Sequence, residues 1–277
     1  MSVADISQDS ERRFGGLSRL YGASGNAALQ HAAVGVVGLG GVGSWAAEAL
    51  ARSGVGALTL IDLDHIAESN VNRQVHALTD TLGQSKVDAM AQRVRGINPE
   101  CRLRLVDDFL TPENAAQVLP PGLDVVIDCT DQMAAKVAMA LLARARRQAL
   151  IVCGGAGGKT DPLKLRSGDL SVATHDALLA RLRNVLRKHH GFARPSVRPG
   201  KASARVPRMG VRVLWLDQAA ILPQAWQAPD AEPGAGLSCA GYGSSVTVTA
   251  SMGLAAAAQA IDLILAAARN DKQPSVT

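Results

Sequence analysis

Short apolar runs alternate, in the first half of the chain, with longer stretches in which apolar residues recur at helical spacing. The apolar runs predict strands buried on both faces, and the predicted strands lie at 33–38, 57–62, 102–106, 124–129 and 149–153. The intervening stretches predict amphipathic helices at 44–52, 83–97 and 132–147. This alternation predicts an α/β fold: a Rossmann-like, mostly parallel sheet with helices on both faces.

The second half of the chain is less regular and predicts a smaller mixed part. Its expected elements are a glycine-rich loop at 154–159, a basic helix at 176–190, a strand at 211–216 and an alanine-rich helix at 246–268. Gln259 and Asp262 lie inside the last helix and favour a buried or subunit-interface helix over a membrane span. We therefore expect two regions, 1–155 and 156–277, in one continuous domain without membrane insertion.

Composition narrows the class of protein. Of the 277 residues, 47% are hydrophobic and 19% are charged, which is typical of a globular chain. The four cysteines are scattered and form no CxxC pair, which argues against a zinc site of paired spacing and against a disulfide framework. The N-terminus has no apolar segment beside positive charge, so we expect no signal peptide and a cytoplasmic protein.

Ten lysines and arginines, without one acidic residue, lie between Arg181 and Arg212. The net charge of the whole chain is +5, so the remaining sequence is net acidic. Such a basic block is either a solvated helix face with a loop or a surface that contacts a polyanion such as RNA. The charge pattern alone leaves both interpretations open.

The motif GLGGVG follows the first predicted strand and opens the first predicted helix. Its glycines match the GxGxxG turn, whose N–H groups bind phosphate oxygens at a helix N-terminus; they are Gly38, Gly40, Gly41 and Gly43. Asp62 ends the next strand, where a carboxylate can accept hydrogen bonds from ribose hydroxyls. These residues predict a nucleotide site, but they would equally serve an NAD enzyme or a methyltransferase.

Polar residues after the second strand indicate a polyphosphate ligand. The segment SNVNRQ supplies Asn70, Arg73 and Gln74, and Lys86 lies in the first turn of the following helix. A cation in that turn opposes the helix dipole unless an anion lies nearby. We predict that Arg73 and Lys86 clamp a polyphosphate such as that of ATP. The alternative is a solvated lysine and an arginine paired with a local carboxylate.

Asp131 follows the fourth strand, at the edge where open α/β sheets bind their ligands. A carboxylate there can hold the Mg²⁺ that accompanies ATP and orient the reacting phosphate. The alternative role is the N-cap of the next helix, and one residue can serve both purposes. Asp128, on the strand itself, is the weaker candidate.

The motifs GLGGVG, LIDLD, SNVNRQ, GQSK and DCTD, in this order and spacing, resemble the ubiquitin-activating-enzyme-like superfamily, whose members activate a carboxylate as an acyl adenylate. The resemblance implies that Asp62 binds ribose and that Asp131 coordinates Mg²⁺ near the α-phosphate. It implies that Asn70, Arg73 and Lys86 bind the phosphates of ATP. Asp131, Arg73 and Lys86 are then the candidate catalytic residues, and a monovalent cation is compatible with the site.

Further segments resemble one branch, the tRNA threonylcarbamoyladenosine dehydratases. These segments are RFGGLSRLYG, GGVGSWAAEALARSG, INPEC, DDF, GGAGGKTDP and CAGYG. The dipeptide Cys129–Thr130 departs from this branch, which more often has a small and then an aliphatic residue there. The branch implies ATP-dependent dehydration of threonylcarbamoyladenosine beside the anticodon. ATP activates the threonine carboxylate and the ureido group closes a ring, so no enzyme nucleophile is needed.

The same resemblance implies partners. It assigns tRNA to the basic block, with Arg183, Arg187 and Lys188 as the substrate-binding residues, and it implies a homodimer. Members of this branch are linked to a cysteine sulfur relay, in which Cys239 would be the contact point. The simpler interpretation of Cys239 is a small buried residue.

Three alternatives share parts of this pattern. An activator of a ubiquitin-like sulfur-carrier protein would use the same ATP site, but such activators usually carry two CxxC pairs, which this chain lacks. An NAD-dependent redox enzyme would not need SNVNRQ or Lys86. A non-catalytic scaffold of sulfur transfer would bind its partners through Cys239.

Overall fold

The computed structural model describes residues 3–195, 206–223 and 239–270. Seven strands in these ranges form one sheet: β1 (Ala33–Val37), β2 (Ala57–Ile61), β3 (Arg102–Val106), β4 (Val125–Asp128), β5 (Ala149–Cys153), β6 (Leu165–Asp169) and β7 (Arg212–Leu216). Their order is β3-β2-β1-β4-β5-β7-β6, and every neighbouring pair is parallel except β6 with β7. The predicted mostly parallel sheet is confirmed, and it continues beyond residue 155 through β7 and β6.

Eight α-helices accompany the sheet in the described ranges. They are α1 (Val3–His31), α2 (Gly43–Arg52), α3 (Lys86–Ile97), α4 (Ala115–Val118), α5 (Met133–Arg146), α6 (Ala177–His189), α7 (Cys239–Tyr242) and α8 (Val246–Asn270). Each helix predicted from periodicity has its counterpart here, with bounds that differ by three residues or fewer.

Helices cover both faces of the sheet. Alternate residues of each strand point to opposite faces, so apolar residues of one strand contribute to both cores. Val36 and Ile127 lie in one core with residues of α2, α3 and α8. Val37 and Val126 lie in the opposite core with residues of α4 and α5, and Val152 continues that side beneath α6. Burial on both faces explains why the central strands are continuous apolar runs.

Helix α1 and strand β6 were not predicted from the sequence pattern. Helix α1 contains several glycines and bends at Gly22, whose φ of +76° lies in the left-handed region. Tertiary contacts hold it: Phe14 and Leu29 are buried, and Arg13 Nη1 donates to the carbonyl oxygen of Ile97 at 3.1 Å. Strand β6 has the polar sequence LRSGD and is ordered by its antiparallel pairing with β7.

Helix α8 is long and apolar enough to cross a membrane, judged by length and composition alone. In the structure it packs against α2 and beneath the sheet, with Met252, Ala256 and Ala260 fully buried. Its Gln259 side chain donates a hydrogen bond to Ser167 Oγ of β6. The helix is therefore part of the core, as Gln259 and Asp262 led us to expect.

Candidate functional site

A cavity of about 330 Å³ opens at the carboxyl edge of β1, β2 and β4. The chain runs from β1 outward to β3 and then returns to β4 on the other side of β1, so the cavity lies at the switch point where open α/β sheets bind ligands. Nine predicted site residues line it: Gly38, Gly40, Gly41, Asp62, Asn70, Arg73, Gln74, Lys86 and Asp131. We call it the nucleotide pocket.

The glycine turn between β1 and α2 forms the floor of the nucleotide pocket. Gly38 has a φ of +84°, and a Cβ on Gly43 would lie 1.8 Å from the carbonyl oxygen of Gly38. Only glycine fits this close approach of backbone to backbone, which lets α2 begin directly beneath the pocket. Among the described residues, apart from Gly40 and its two chain neighbours, no atom lies within 4 Å of the place that a Cβ on Gly40 would take, so a phosphate group can approach the main chain there.

Asp62 joins the end of β2 to the glycine turn. Its Oδ2 accepts a hydrogen bond from the Leu39 N–H at 2.6 Å, and its Oδ1 accepts one from the Asp64 N–H at 2.9 Å. Burial raises the pKa of Asp62 above its ordinary value, while the nearby charge of Lys86 opposes this rise. The carboxylate is thus fixed at the pocket wall, as ribose binding requires; that role remains a prediction.

Lys86 is buried at the first turn of α3 and points toward two carboxylates. Its Nζ lies 2.7 Å from Asp64 Oδ2 and 3.8 Å from Asp62 Oδ1. The alternative of a solvated lysine is therefore wrong. Asp64 was not predicted, yet it supplies the local anion that offsets the unfavourable helix dipole and aims the ammonium group into the pocket.

Arg73 lies in the loop after β2, and backbone contacts orient it. Its Nη1 donates to the carbonyl oxygen of Ser69 at 2.6 Å and to Asn72 Oδ1 at 2.9 Å, while Trp45 Nε1 of α2 donates to the Arg73 carbonyl at 3.0 Å. Among the described residues, no carboxylate pairs with the Arg73 guanidinium. Its charge is therefore available to an anionic ligand, as the predicted clamp requires.

Asn70 and Gln74 are buried in the same loop. Asn70 Oδ1 accepts a hydrogen bond from the Ala67 N–H at 3.1 Å, which closes a short turn at the pocket wall. Gln74 Oε1 is buried without a hydrogen-bond partner among the described residues. A buried amide oxygen without a partner is costly, so a ligand donor beside Gln74 would be favourable.

Asp131 is exposed at the opposite wall, between β4 and α5. The N-cap of α5 is Gln132, and no side chain caps this helix. The suggested capping role of Asp131 is therefore wrong, because the helix begins one residue later than such a cap requires. Its carboxylate has no hydrogen bond or ion pair with the described residues and faces the nucleotide pocket.

Asp128 and Lys136 form an ion pair that is fully buried beneath this wall. Lys136 Nζ lies 3.1 Å from Asp128 Oδ1 and also donates to the carbonyl oxygen of Cys153 at 2.9 Å. The same Asp128 oxygen accepts hydrogen bonds from the N–H of Thr130 at 3.0 Å and from its hydroxyl at 2.8 Å. Asp128 therefore shapes the turn that presents Asp131 and does not itself face the ligand. Lys136 was missed, although a lone lysine inside the apolar periodicity of α5 is a signal for it.

Two thiols, Cys129 and Cys153, lie close together, and Cys129 lines the nucleotide pocket. The Sγ atoms of Cys129 and Cys153 are 3.9 Å apart, and the hydrogen bond between them together with burial raises the pKa of Cys129 well above its ordinary value. Burial also raises the pKa of Cys101 to about 11. Protonated thiols are poor nucleophiles, which agrees with chemistry that needs no enzyme nucleophile. The side chain of Cys239 lies outside the described residues.

The ThiF family matches residues 15–277, which is nearly the whole chain. The chain belongs to the ThiF family. Within it, the chain is 42% identical to the tRNA threonylcarbamoyladenosine dehydratase of Escherichia coli over 97% of this chain and 98% of that protein. It is 40% identical to the dehydratase of Haemophilus influenzae over 92% of this chain and 94% of that one. The resemblance to this branch is confirmed.

The solved structures agree with the similarity to the dehydratases. The Escherichia coli dehydratase TcdA in complex with ATP superposes with a TM-score of 0.83 at 39% identity, covering 97% of this chain and 99% of TcdA. A complex of TcdA with AMP superposes equally well. By contrast, the adenylyltransferase and sulfurtransferase MOCS3 of Drosophila sechellia is 37% identical over 41% of this chain and 25% of its own length. ATP binding by a relative of the same fold agrees with the predicted nucleotide pocket.

On the basic helix α6 of this ThiF-family chain, the predicted substrate-binding residues differ in their surroundings. Arg183 Nη1 donates to the carbonyl oxygens of Leu170 and Ala173 at 3.1 and 2.8 Å, and Arg187 Nε donates to that of Ala193 at 3.1 Å. Lys188 is exposed. Arg183 and Arg187 thus also anchor the helix. Part of the basic block, including Arg205, lies outside the described residues, and the role of all three residues remains a prediction.

Proposed function

We propose that the chain catalyses the ATP-dependent dehydration of threonylcarbamoyladenosine in tRNA, as a cytoplasmic enzyme. The observation that carries this proposal is similarity to dehydratases along nearly the full length of both chains, which includes both walls of the nucleotide pocket and helix α6. Similarity to the adenylyltransferase and sulfurtransferase MOCS3 covers less than half of this chain. The activator hypothesis therefore remains the second candidate.

The reaction needs an electrophile that the substrate does not possess. The threonine carboxylate attacks a phosphorus atom of ATP and becomes a mixed anhydride, and the P–O bond from that atom to the leaving part of ATP breaks. The ureido group of the modification then attacks the activated carbonyl carbon. One former carboxylate oxygen departs on the phosphorus group that the carboxylate had captured, and the ureido group loses a proton to solvent. The net change in the nucleoside is the loss of one water.

Residues of the chain bind and orient the reactants in this scheme. Arg73 and Lys86 place positive charge beside the phosphates, where negative charge grows as the phosphorus is attacked. The Lys86–Asp64 contact of 2.7 Å holds the ammonium before ATP arrives, which lowers the reorganisation that the reaction requires. Asp62 would hold the ribose hydroxyls and so set the position of the phosphorus.

The residues present also fit Mg²⁺. This ion typically takes one or two carboxylates together with substrate phosphates and water, and Asp131 is an exposed carboxylate without a partner among the described residues of the pocket. Asp131 would hold the ion, which would supply charge neutralisation at the phosphates. Within the described ranges, no cluster of three metal-ligating side chains provides a site independent of the nucleotide.

Two assemblies belong to the same proposal. A homodimer follows from the resemblance, and the long apolar helix α8, on which Val246 and Leu254 are exposed, offers a surface to a second copy. A contact with a sulfur-relay protein through Cys239 remains a prediction from the resemblance alone.

Charge reversal at Arg183, Arg187 and Lys188 is expected to weaken tRNA binding strongly and to leave ATP binding unchanged. Phosphate contacts release counterions, so the affinity of the wild type should fall steeply as salt rises. Each lost contact should reduce the slope of log affinity against log salt by roughly 0.7 to 0.9. The measurement is an anisotropy titration of tRNA over a salt series.

A second triple variant controls for net charge: Arg95→Glu, Arg102→Glu and Arg166→Glu change exposed cations on α3, β3 and β6. The side chains of Arg183 and Arg187 also donate hydrogen bonds to backbone carbonyl oxygens, so their substitution can disturb the fold. Lys188→Glu should therefore also be measured alone, because it breaks no described side-chain hydrogen bond. Equal affinities and equal slopes for the two triple variants would show that the block is a solvated surface. The sulfur-carrier hypothesis would then be favoured.

A further inference from the structure

A second cavity of about 350 Å³ adjoins the nucleotide pocket on the side of α6. Four residues line both cavities, so the two spaces meet at a shared wall: Asp131, Gln132, Gly157 and Leu178. A group that enters from the second cavity therefore reaches the nucleotide by passing Asp131. The volume of the second cavity lies within the range of about 300–1,000 Å³ that is typical of small-molecule sites.

The walls of this second cavity are largely apolar. The apolar lining residues are Met133 at the start of α5, Ala177 and Leu178 at the start of α6, and Ala220 and Tyr242. Flat apolar and aromatic surfaces suit the face of a planar ring, because stacking tolerates any base. Polar groups line the rest of the cavity: Asp131 and Gln132 at the end that meets the nucleotide pocket, together with Lys159, His175, Asp176 and Arg181.

A network of buried charges holds the rim of the cavity in place. Lys159 is buried and donates to the carbonyl oxygens of His175 and Gln218, the former at 2.6 Å. Asp176 accepts hydrogen bonds from the N–H groups of Gly155 and Leu179, each at 2.9 Å, and thereby fastens the glycine-rich loop to the first turn of α6. His175, between them, has a φ of +53°, a strained conformation for a residue other than glycine. Strain held by surrounding contacts is a feature of ligand sites.

Arg181 lines the same cavity one turn into α6. Its guanidinium has no hydrogen bond or ion pair with the described residues, whereas the guanidinium groups of Arg183 and Arg187 on the same helix bind carbonyl oxygens. A free guanidinium at the mouth of an apolar cavity is suited to a phosphate or carboxylate, which it can bind through two parallel hydrogen bonds.

We propose that the second cavity holds the modified adenine nucleotide of the tRNA, with its base between the apolar walls and its backbone phosphate on Arg181. The proposal rests on the proposed function and names the place of its acceptor. It puts the threonine carboxylate at the shared wall beside Asp131, on the side from which ATP can be attacked. The glycine-rich tail of a carrier protein suits this cavity less well, because such a tail has no ring to fill the apolar walls.

Filling the cavity tests the proposal. Ala220→Trp places an indole in the cavity from an exposed position, and Ala219→Trp adds the same indole at the neighbouring exposed residue, which does not line it. We expect Ala220→Trp to lower kcat/KM for an anticodon stem-loop that carries threonylcarbamoyladenosine by 100-fold or more. The ATP affinity of Ala220→Trp should stay within twofold of the wild type. In Ala219→Trp, both kcat/KM for the stem-loop and ATP affinity should stay within twofold of the wild type.

Arg181→Ala provides an independent test that does not depend on the fit of a large side chain. We expect KM for the stem-loop to rise about 10-fold and kcat to stay near that of the wild type. The slope of log kcat/KM against log salt should become shallower by the amount that corresponds to roughly one phosphate contact. Lys164→Ala, an exposed lysine outside both cavities, serves as its control. If Ala220→Trp unfolds or loses ATP affinity, Arg181→Ala decides the question.

The outcomes separate this proposal from the proposed function. If the wild type dehydrates the stem-loop and both Ala220→Trp and Arg181→Ala do so with unchanged kcat/KM, the cavity is not the acceptor site although the function holds. If the wild type instead adenylates a sulfur-carrier protein and leaves the stem-loop unchanged, the function itself is wrong and the proposal fails with it.

Discussion

Arg73→Ala and Lys86→Ala are each expected to reduce the ATP-dependent activity by roughly 10²-fold or more, because each removes a positive charge from the phosphates in the transition state. The side chain of Arg73 makes its described hydrogen bonds only with neighbouring loop atoms, so its truncation should leave the melting temperature almost unchanged. Lys86→Ala also leaves the buried Asp62 without its cation, so a lower melting temperature should accompany the loss of activity.

The measurement is steady-state turnover with ATP and modified tRNA, together with ATP affinity, for both variants. Arg95→Ala is the matched control, because this exposed cation lies in the last turn of the helix that begins with Lys86. It should behave as the wild type. Near-normal turnover in both Arg73→Ala and Lys86→Ala would remove the two residues from the phosphate site.

Asp131→Asn is expected to abolish most of the turnover while nucleotide affinity changes much less. The substitution keeps the shape of the side chain and removes the charge that would hold Mg²⁺ against the phosphates. Since Gln132 is the N-cap of α5 and Asp131 makes no described hydrogen bond, the fold should not be affected. ATP affinity by calorimetry and turnover over a Mg²⁺ series provide the two measurements.

Asp88→Asn, at an exposed carboxylate of α3 outside the nucleotide pocket, controls for the loss of one negative charge. A fully active Asp131→Asn would show that this carboxylate is not involved in catalysis. Rescue of Asp131→Asn by high Mg²⁺ would support the metal role, because weaker binding of the ion is then the defect.

The nucleotide pocket could be predicted from the sequence because its residues lie where strands end. Gly38, Asp62 and Asp131 follow three strands that the apolar pattern identifies, and parallel strands bring their carboxyl ends to one edge. The positions of these residues at strand ends therefore predict that they meet at one edge of the sheet. The same holds for Arg73, whose loop follows directly from β2.

Contacts between distant parts of the chain could not be predicted. Lys136 meets Asp128 and the Cys153 carbonyl only because α5 lies across β4 and β5, and no spacing in the sequence encodes that crossing. The glycines of α1 lower its helix propensity, and its buried contacts override that local preference. The cavity beside α6 depends on loops that meet from residues 131, 155, 175 and 220, which lie far apart along the chain.

Mass spectrometry of nucleosides from tRNA incubated with the enzyme and ATP tests the proposed function most directly. The substrate is tRNA that carries threonylcarbamoyladenosine, and parallel reactions omit either ATP or the enzyme. We predict that the modified nucleoside is replaced by a product lighter by one water only when both are present. Unchanged threonylcarbamoyladenosine, in a preparation that adenylates a sulfur-carrier protein under the same conditions, would contradict the proposed function.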